Sequence, residues 1–120
     1  MITDFQCNRV YFSSLLQRVS PKTYASMVSA LEKHCVEYRL LVNTNDVWCR
    51  DYMPIQIATD TFCGFDYDPD YLQETKELLA TRTDGNQACN DLGFEVKQPI
   101  MPLKIDGGNV IRCDNKIIMI

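Results

Sequence analysis

The chain has 120 residues, 46% of them hydrophobic and 23% charged, and a formal net charge of −4. That is apolar material enough for one cored domain, with the proportions of an ordinary globular protein rather than a disordered or fibrous one. The acidic balance offers no basic field to nucleic acid or anionic lipid, so neither is expected as a partner.

The opening MITDFQCNRV has no basic n-region and no apolar core of a secretory signal, and no apolar run approaches the length of a bilayer span. A cytoplasmic protein with no membrane partner is expected. The six cysteines, Cys7, Cys35, Cys49, Cys63, Cys89 and Cys113, form no CxxC pair and no zinc-like cluster, so no metal is expected. Four of them fall in segments that read as strand or helix, where a reduced cysteine acts as a small buried hydrophobe. A disulfide framework is the less favoured reading for a chain with this much core.

In chain order, Val10–Phe12 reads as a short strand. Ser20 suits an N-cap and Pro21 the first position of a helix, where its missing N–H is not needed. Tyr24, Met27, Val28, Leu31 and Cys35 then recur at helical spacing and predict one buried stripe. Tyr38–Val42 is a strand that runs into the polar loop 43–54, NTNDVWCRDYMP. Ile55–Ala58 and Phe62–Tyr67 read as paired strands around Thr59-Asp60.

A similar order follows. Asp68-Pro69 reads as a second N-cap with a first-turn proline, opening a helix that carries Leu72, Leu78 and Leu79. A further helical piece runs to Leu92, and Gly93 suits the left-handed position that ends it. Phe94–Gln98 is a strand, followed by the loop LKIDGG and by a hairpin, Asn109–Cys113 with Lys116–Ile120, around Asp114-Asn115. The chain therefore reads twice as helix, strand, acid-bearing loop, strand, strand. A repeated unit of this kind places equivalent loops on one face. The unbroken apolar run Ile117-Ile118-Met119-Ile120 reads as a central strand covered on both faces. Its cover is expected from a partner chain, giving a homo-oligomer through the C-terminal strand, or from a larger protein of which this is the first part.

The repeat puts Asp51 and Asp106 in corresponding loops. Two carboxylates facing one centre raise each other's pKa, and a planar cation between them relieves both the repulsion and the desolvation. A guanidinium offers five N–H donors in a fixed fork. Trp48 would supply an apolar wall or a cation–π face, and Gly107 and Gly108 would let backbone approach a ligand closely.

These residues carry a family resemblance. N-D-V-W-C-R-D-Y-M-P at 45–54 resembles the N-D-x-W-x-R-D-x-x-P motif of agmatine deiminases and the related bacterial peptidylarginine deiminases. D-G-G-N at 106–109 resembles the E-G-G or D-G-G element of the wider guanidino-group-modifying superfamily. The resemblance implies an α/β class chain with the pentein fold, a five-bladed α/β propeller. Residues 1–120 would be a partial propeller of two repeats and the start of a third, the N-terminal part of a single catalytic domain. It implies that Asp51 binds the substrate guanidinium, that Trp48 lines the site, and that Asp106 supports a catalytic histidine. Asn45, Asp46, Arg50, Gly107, Gly108 and Asn109 come with the two motifs as substrate-binding candidates. The ligand would be a small guanidinium compound or an arginine side chain, and no metal or organic cofactor is implied.

The family reaction uses a cysteine thiolate on the guanidinium carbon and a histidine that protonates departing ammonia. The family's terminal Gly-rich cysteine has no counterpart here. Where agmatine deiminases carry a His-x-Asp pair, this chain has Ile111 and Cys113. The 120 residues alone are therefore expected to be inactive on guanidines. His34, the only histidine, reads as a helix C-terminal residue. Cys49, between acids, would have a raised pKa and is not expected to be a nucleophile. Asp51 has a duller reading too, as the ion-pair partner of Arg50 or the cap of a turn. The alternative for the whole chain is a non-catalytic binding or assembly module that oligomerises through exposed strands.

Overall fold

The computed structural model describes residues 6–113 and 116–119, a mixed α/β arrangement of three small sheets and short helices. Strand β1 (Arg9–Ser13) pairs in parallel with β2 (Glu37–Leu41), and the link between them is α1 (Leu16–Val19) and α2 (Pro21–Lys33). A parallel pair needs such a crossover. α2 starts at Pro21 as the sequence predicts, but the Ser20 hydroxyl meets Thr23 Oγ1 at 2.8 Å rather than a backbone N–H. Tyr24 sets its ring edge-on to Phe12, which stacks on Tyr38, so α2 is seated on the β1–β2 pair through aromatics. The predicted stripe is only half-buried. Cys35 leaves it altogether, exposed beyond the helix end at φ 53°, in the left-handed region.

Strands β3 (Ile55–Ala58) and β4 (Thr61–Cys63) form an antiparallel hairpin, and β5 (Glu95–Lys97) adds in parallel to β4. The crossover between β4 and β5 holds a 3-10 turn (Asp70–Gln73), α4 (Lys76–Leu79) and α5 (Gly85–Asp91). Hairpin β6 (Val110–Cys113) and β7 (Lys116–Met119) follows a 3-10 turn at Gly107–Asn109. Two strand–helix–parallel strand units thus each lead through a loop into an antiparallel hairpin, which is the order the sequence predicts. The turn Asp114-Asn115 and Ile120 lie outside the described residues.

The differences have identifiable causes. The predicted strand 62–67 stops at Cys63 because its partners change. Gly64 N–H still donates to the Lys97 carbonyl (2.9 Å), but Asp66 pairs with the returning segment, its N–H on the Leu103 carbonyl (2.8 Å) and its carbonyl on Ile105 N–H (3.2 Å). Between those partners Gln98–Pro102 loops out, with prolines at 99 and 102 that have no N–H for a ladder. Asp68 is not a helix cap. Its carboxylate binds Lys104 Nζ (2.7 Å) and Arg82 Nη1 (3.3 Å), and the helix splits, with Thr75 and Asp84 capping α4 and α5. Gly93 takes φ +85° after α5, as expected.

The core is Leu41, Tyr52, Phe65, Tyr67 and Leu72, with Ile55, Leu92, Leu103 and Ile105 packed against it. It joins both units. β7 does not sit in it: Lys116–Met119 are all exposed, so the expected central strand is the outer strand of a two-stranded ribbon. Of the cysteines only Cys89 is buried, and all six are free thiols. Among the described residues no helix is long and apolar enough to cross a membrane.

Candidate functional site

The first loop is held from inside. α3 (Cys49–Tyr52) is one turn, and its buried Tyr52 sends the phenol back to the Asp46 carbonyl (3.0 Å) and Cys49 Sγ (3.2 Å). Asn45 fastens the same loop to the second unit, its N–H on Thr83 Oγ1 and its Nδ2 on the Arg82 carbonyl, each at 2.9 Å. Gly85 completes the join: a Cβ there would lie 1.7 Å from the Tyr52 carbonyl oxygen, so only glycine lets α5 reach α3.

The second loop is shaped by its pairing to Asp66 and by Asp106, whose Oδ1 accepts Gly108 N–H at 2.8 Å and caps the turn 107–109. The two loops then touch backbone to backbone. A Cβ on buried Gly107 would stand 2.4 Å from the Arg50 carbonyl oxygen and 3.1 Å from that of Asp51. One on Gly108 would stand 2.6 Å from Asp51 Oδ1 and 3.0 Å from Asp106 Oδ1. Both acids therefore aim at the open face of Gly108 and come within hydrogen-bonding reach of one another. Burial raises the Asp51 pKa first, and the Asp106 charge and hydrogen bond raise it further; Asp46 adds to this and Arg50 opposes it.

Of the candidates, Asp51, Asp106, Gly107 and Gly108 are brought together. Asn45 and Asp46 serve the loop itself, Asp46 Oδ1 accepting Val47 N–H at 2.5 Å. Arg50 turns away from its neighbour and donates Nη2 to the Val110 carbonyl at 2.7 Å, so the expected alternative of an Asp51–Arg50 pair is not formed. Asn109 closes the 3-10 turn with an N–H to the Asp106 carbonyl (3.0 Å) and is exposed. Trp48 is 67% exposed at the start of α3, neither core nor an enclosed wall.

Searches among protein-family models, curated proteins and solved structures find no match to this chain.

One contributor escaped the sequence reading. Tyr67 is 5% exposed and directly follows Asp66, the residue paired with 103–105; it tilts against Tyr52 with ring centroids 6.2 Å apart. Its pKa is raised first by burial, then by a 2.7 Å hydrogen bond with Tyr71, and to a lesser degree by the charges of Asp51 and Asp106. In sequence it is one more apolar-looking residue at a strand end, and only the switch of strand partners brings it here. Cys49 has its pKa raised chiefly by burial, with Asp46 a lesser cause; Ser13 N–H and the Tyr52 hydroxyl partly offset this by donating to Sγ. A thiol so placed is not a ready nucleophile. His34 is exposed at the C-cap of α2. Among the described residues no group of three or more His, Cys, Asp or Glu is placed to hold a metal ion.

Chemically, the arrangement offers two facing acids, one with a raised pKa, over a glycine that leaves their shared volume open. It favours a flat cation with several N–H donors, because burial and the neighbouring Asp106 charge leave the Asp51 carboxylate under-compensated.

Proposed function

We propose that this chain is the guanidinium-binding part of a cytoplasmic amidine hydrolase of the agmatine or peptidylarginine deiminase type, with Asp51 and Asp106 as the acids that hold the planar cation. The observation that carries this reading is the convergence of both carboxylates on Gly108. The doubled order of strand, helix, parallel strand, acid loop and hairpin supports the finer fold, a partial pentein propeller. On this reading the 120 residues bind guanidines but do not hydrolyse them, because the positions for the family's His-x-Asp pair are Ile111 and Cys113.

Calorimetric titration with agmatine and with arginine tests the reading. Saturable binding that Asp51→Asn weakens by about 10-fold or more is the expected result. Unchanged binding in that variant, or a ureido product from the purified chain, would overturn it.

A second reading rests on a different observation. Ile111, Ile117, Ile118 and Met119 of the β6–β7 ribbon are 42–57% exposed, and Ile100 and Met101 are more exposed still. A ribbon with such a surface favours an assembly module that pairs through the β7 edge. Sedimentation over a concentration series separates the two: a monomer that binds guanidines supports the first, a guanidine-blind oligomer the second.

A further inference from the structure

The β1–β2 pair and the β3–β4–β5 sheet share no hydrogen-bonded strand and meet through rings. Phe94, just before β5, stands edge-to-face with Tyr11 of β1 at 6.0 Å between centroids, and tilts against Phe62 of β4 at 5.0 Å. These three rings line a cavity of about 260 Å³ to which β2, α3 and α5 also contribute. Leu41, Pro54 and Cys89, all buried, close its floor, while Met53, Leu92 and the rings are half-buried and form its walls. No lining residue is a carboxylate, and the one charged residue, Arg50, is exposed and donates Nη2 to the Val110 carbonyl. The Tyr11 hydroxyl accepts from Arg9 Nη1 at 3.4 Å, and Cys49 Sγ from Ser13 N–H and the Tyr52 hydroxyl. Both lining thiols stay neutral at physiological pH, because burial raises the Cys49 pKa and lifts that of Cys89 to about 11. Water needs several polar partners to settle in such a space, and apolar cavities of about 150 Å³ stay dry and take up benzene instead.

We propose that this cavity binds a small neutral aromatic molecule of one or two rings. Rings set at different angles let a flat guest stack on one and meet another edge-on. The Met53 thioether adds a sulfur–ring contact. A charged guest is disfavoured, because the lining offers its charge no buried partner. Met53 and Pro54 belong to the loop that carries Asp51, so a bound guest would also brace one wall of the acid site. The inference stands whether or not the acids bind a guanidine.

The test is a titration of the unaltered protein with benzene and with indole, and with benzylammonium as the charged control. Side-chain methyl resonances are followed by NMR, with the melting temperature in parallel. Saturable shifts at the Leu41, Met53 and Leu92 methyls are expected with at least one neutral guest, together with a rise in melting temperature. Through-space NMR contacts should run from the guest's ring protons to the same methyls. Leu92→Phe narrows the cavity from a half-buried wall and should weaken the binding by about 10-fold or more. Should that variant fold poorly, the through-space contacts in the unaltered protein decide the matter. No saturable shift with either neutral guest, shifts centred on Ile117 and Ile118 of the exposed ribbon, full affinity in a folded Leu92→Phe, or an equal response to benzylammonium would overturn the site.

Discussion

Asp51 and Asp106 bring carboxyl oxygens to the same face of Gly108 and within hydrogen-bonding reach of one another, so the site sets two acids side by side. Such a pair trades stability of the free protein for affinity toward a cation, and the two quantities should move in opposite directions on mutation. Asp51→Asn removes the repulsion and a partly buried charge. Because the folded pKa of Asp51 is raised, the folded state holds its proton longer than the unfolded chain, and stability is lost as pH rises from about 4, the ordinary carboxylate value, through the raised one. The variant should therefore melt higher than the parent at pH 7 and show a flatter profile across that window. Guanidinium binding should weaken by about 10- to 100-fold, the equivalent of one lost charge-assisted hydrogen bond. Melting curves between pH 3 and 8, beside a titration, check both halves.

The same shift makes binding proton-linked. A cation settling between the acids lowers the Asp51 pKa that Asp106 and burial had raised, so within the window uptake of ligand releases protons. Calorimetry in two buffers of different ionisation enthalpy should give different apparent heats near pH 5 and converging heats near pH 8. Identical heats at both pH values would place the ligand elsewhere.

Gly107 and Gly108 should fail differently. Gly108→Ala puts a methyl 2.6 Å from Asp51 Oδ1, a side-chain end that is able to move, so the fold should survive while the volume between the acids is filled. Affinity should fall about 10-fold or more, with a melting temperature close to the parent's. Gly107→Ala meets the Arg50 carbonyl at 2.4 Å, backbone against backbone. It should cost about 1–3 kcal/mol in chemical denaturation by forcing the loops apart.

The parts of this fold that could be read from sequence are those set by local chemistry. Pro21 starts α2, Gly93 ends α5, and the acid loops recur at matching places because turn residues and periodicity carry that information. What could not be read depended on which segment pairs with which. Asp68 looked like a cap because Pro69 follows it, yet Lys104 and Arg82 arrive from far along the chain and claim its carboxylate. Arg50 looked like a site residue because it adjoins Asp51, yet a one-turn helix points neighbouring side chains in different directions, and its acceptor is 60 positions away. The convergence of Asp51 with Asp106 was legible only through the repeat, since neither loop identifies its partner alone.

Tyr52→Phe tests how the first loop is held. It removes the hydroxyl that reaches the Asp46 carbonyl and Cys49 Sγ but keeps the buried ring. A loss of about 1 kcal/mol is expected, near the net value of one hydrogen bond. Amide exchange should quicken in residues 46–52 and not in α2, because the bond closes only that loop. Uniform quickening would show that the hydroxyl supports the whole core.

Asp68 gives the opposite pH signature to Asp51. Its hydrogen bond with Lys104 outweighs the opposing effect of burial and, helped by the Arg82 charge, holds its pKa below the usual carboxylate value. A group of this kind stabilises the fold above its unfolded pKa, and that contribution fades as pH falls through the lowered one. Asp68→Asn should thus melt below the parent at pH 7 and match it at the acid end of the range. It also frees Lys104, two residues before Asp106, from its anchor beside the 3-10 turn at Asp70–Gln73. The Asp106 loop should then hold its carboxylate less firmly, and guanidinium affinity should fall a few-fold although residue 68 touches neither acid of the pair. A double variant, Asp68→Asn with Asp51→Asn, separates the two effects: the pH profiles should add, since the residues lie in separate charge networks, while the affinity losses should not, because once Asp51 is gone little binding is left to lose.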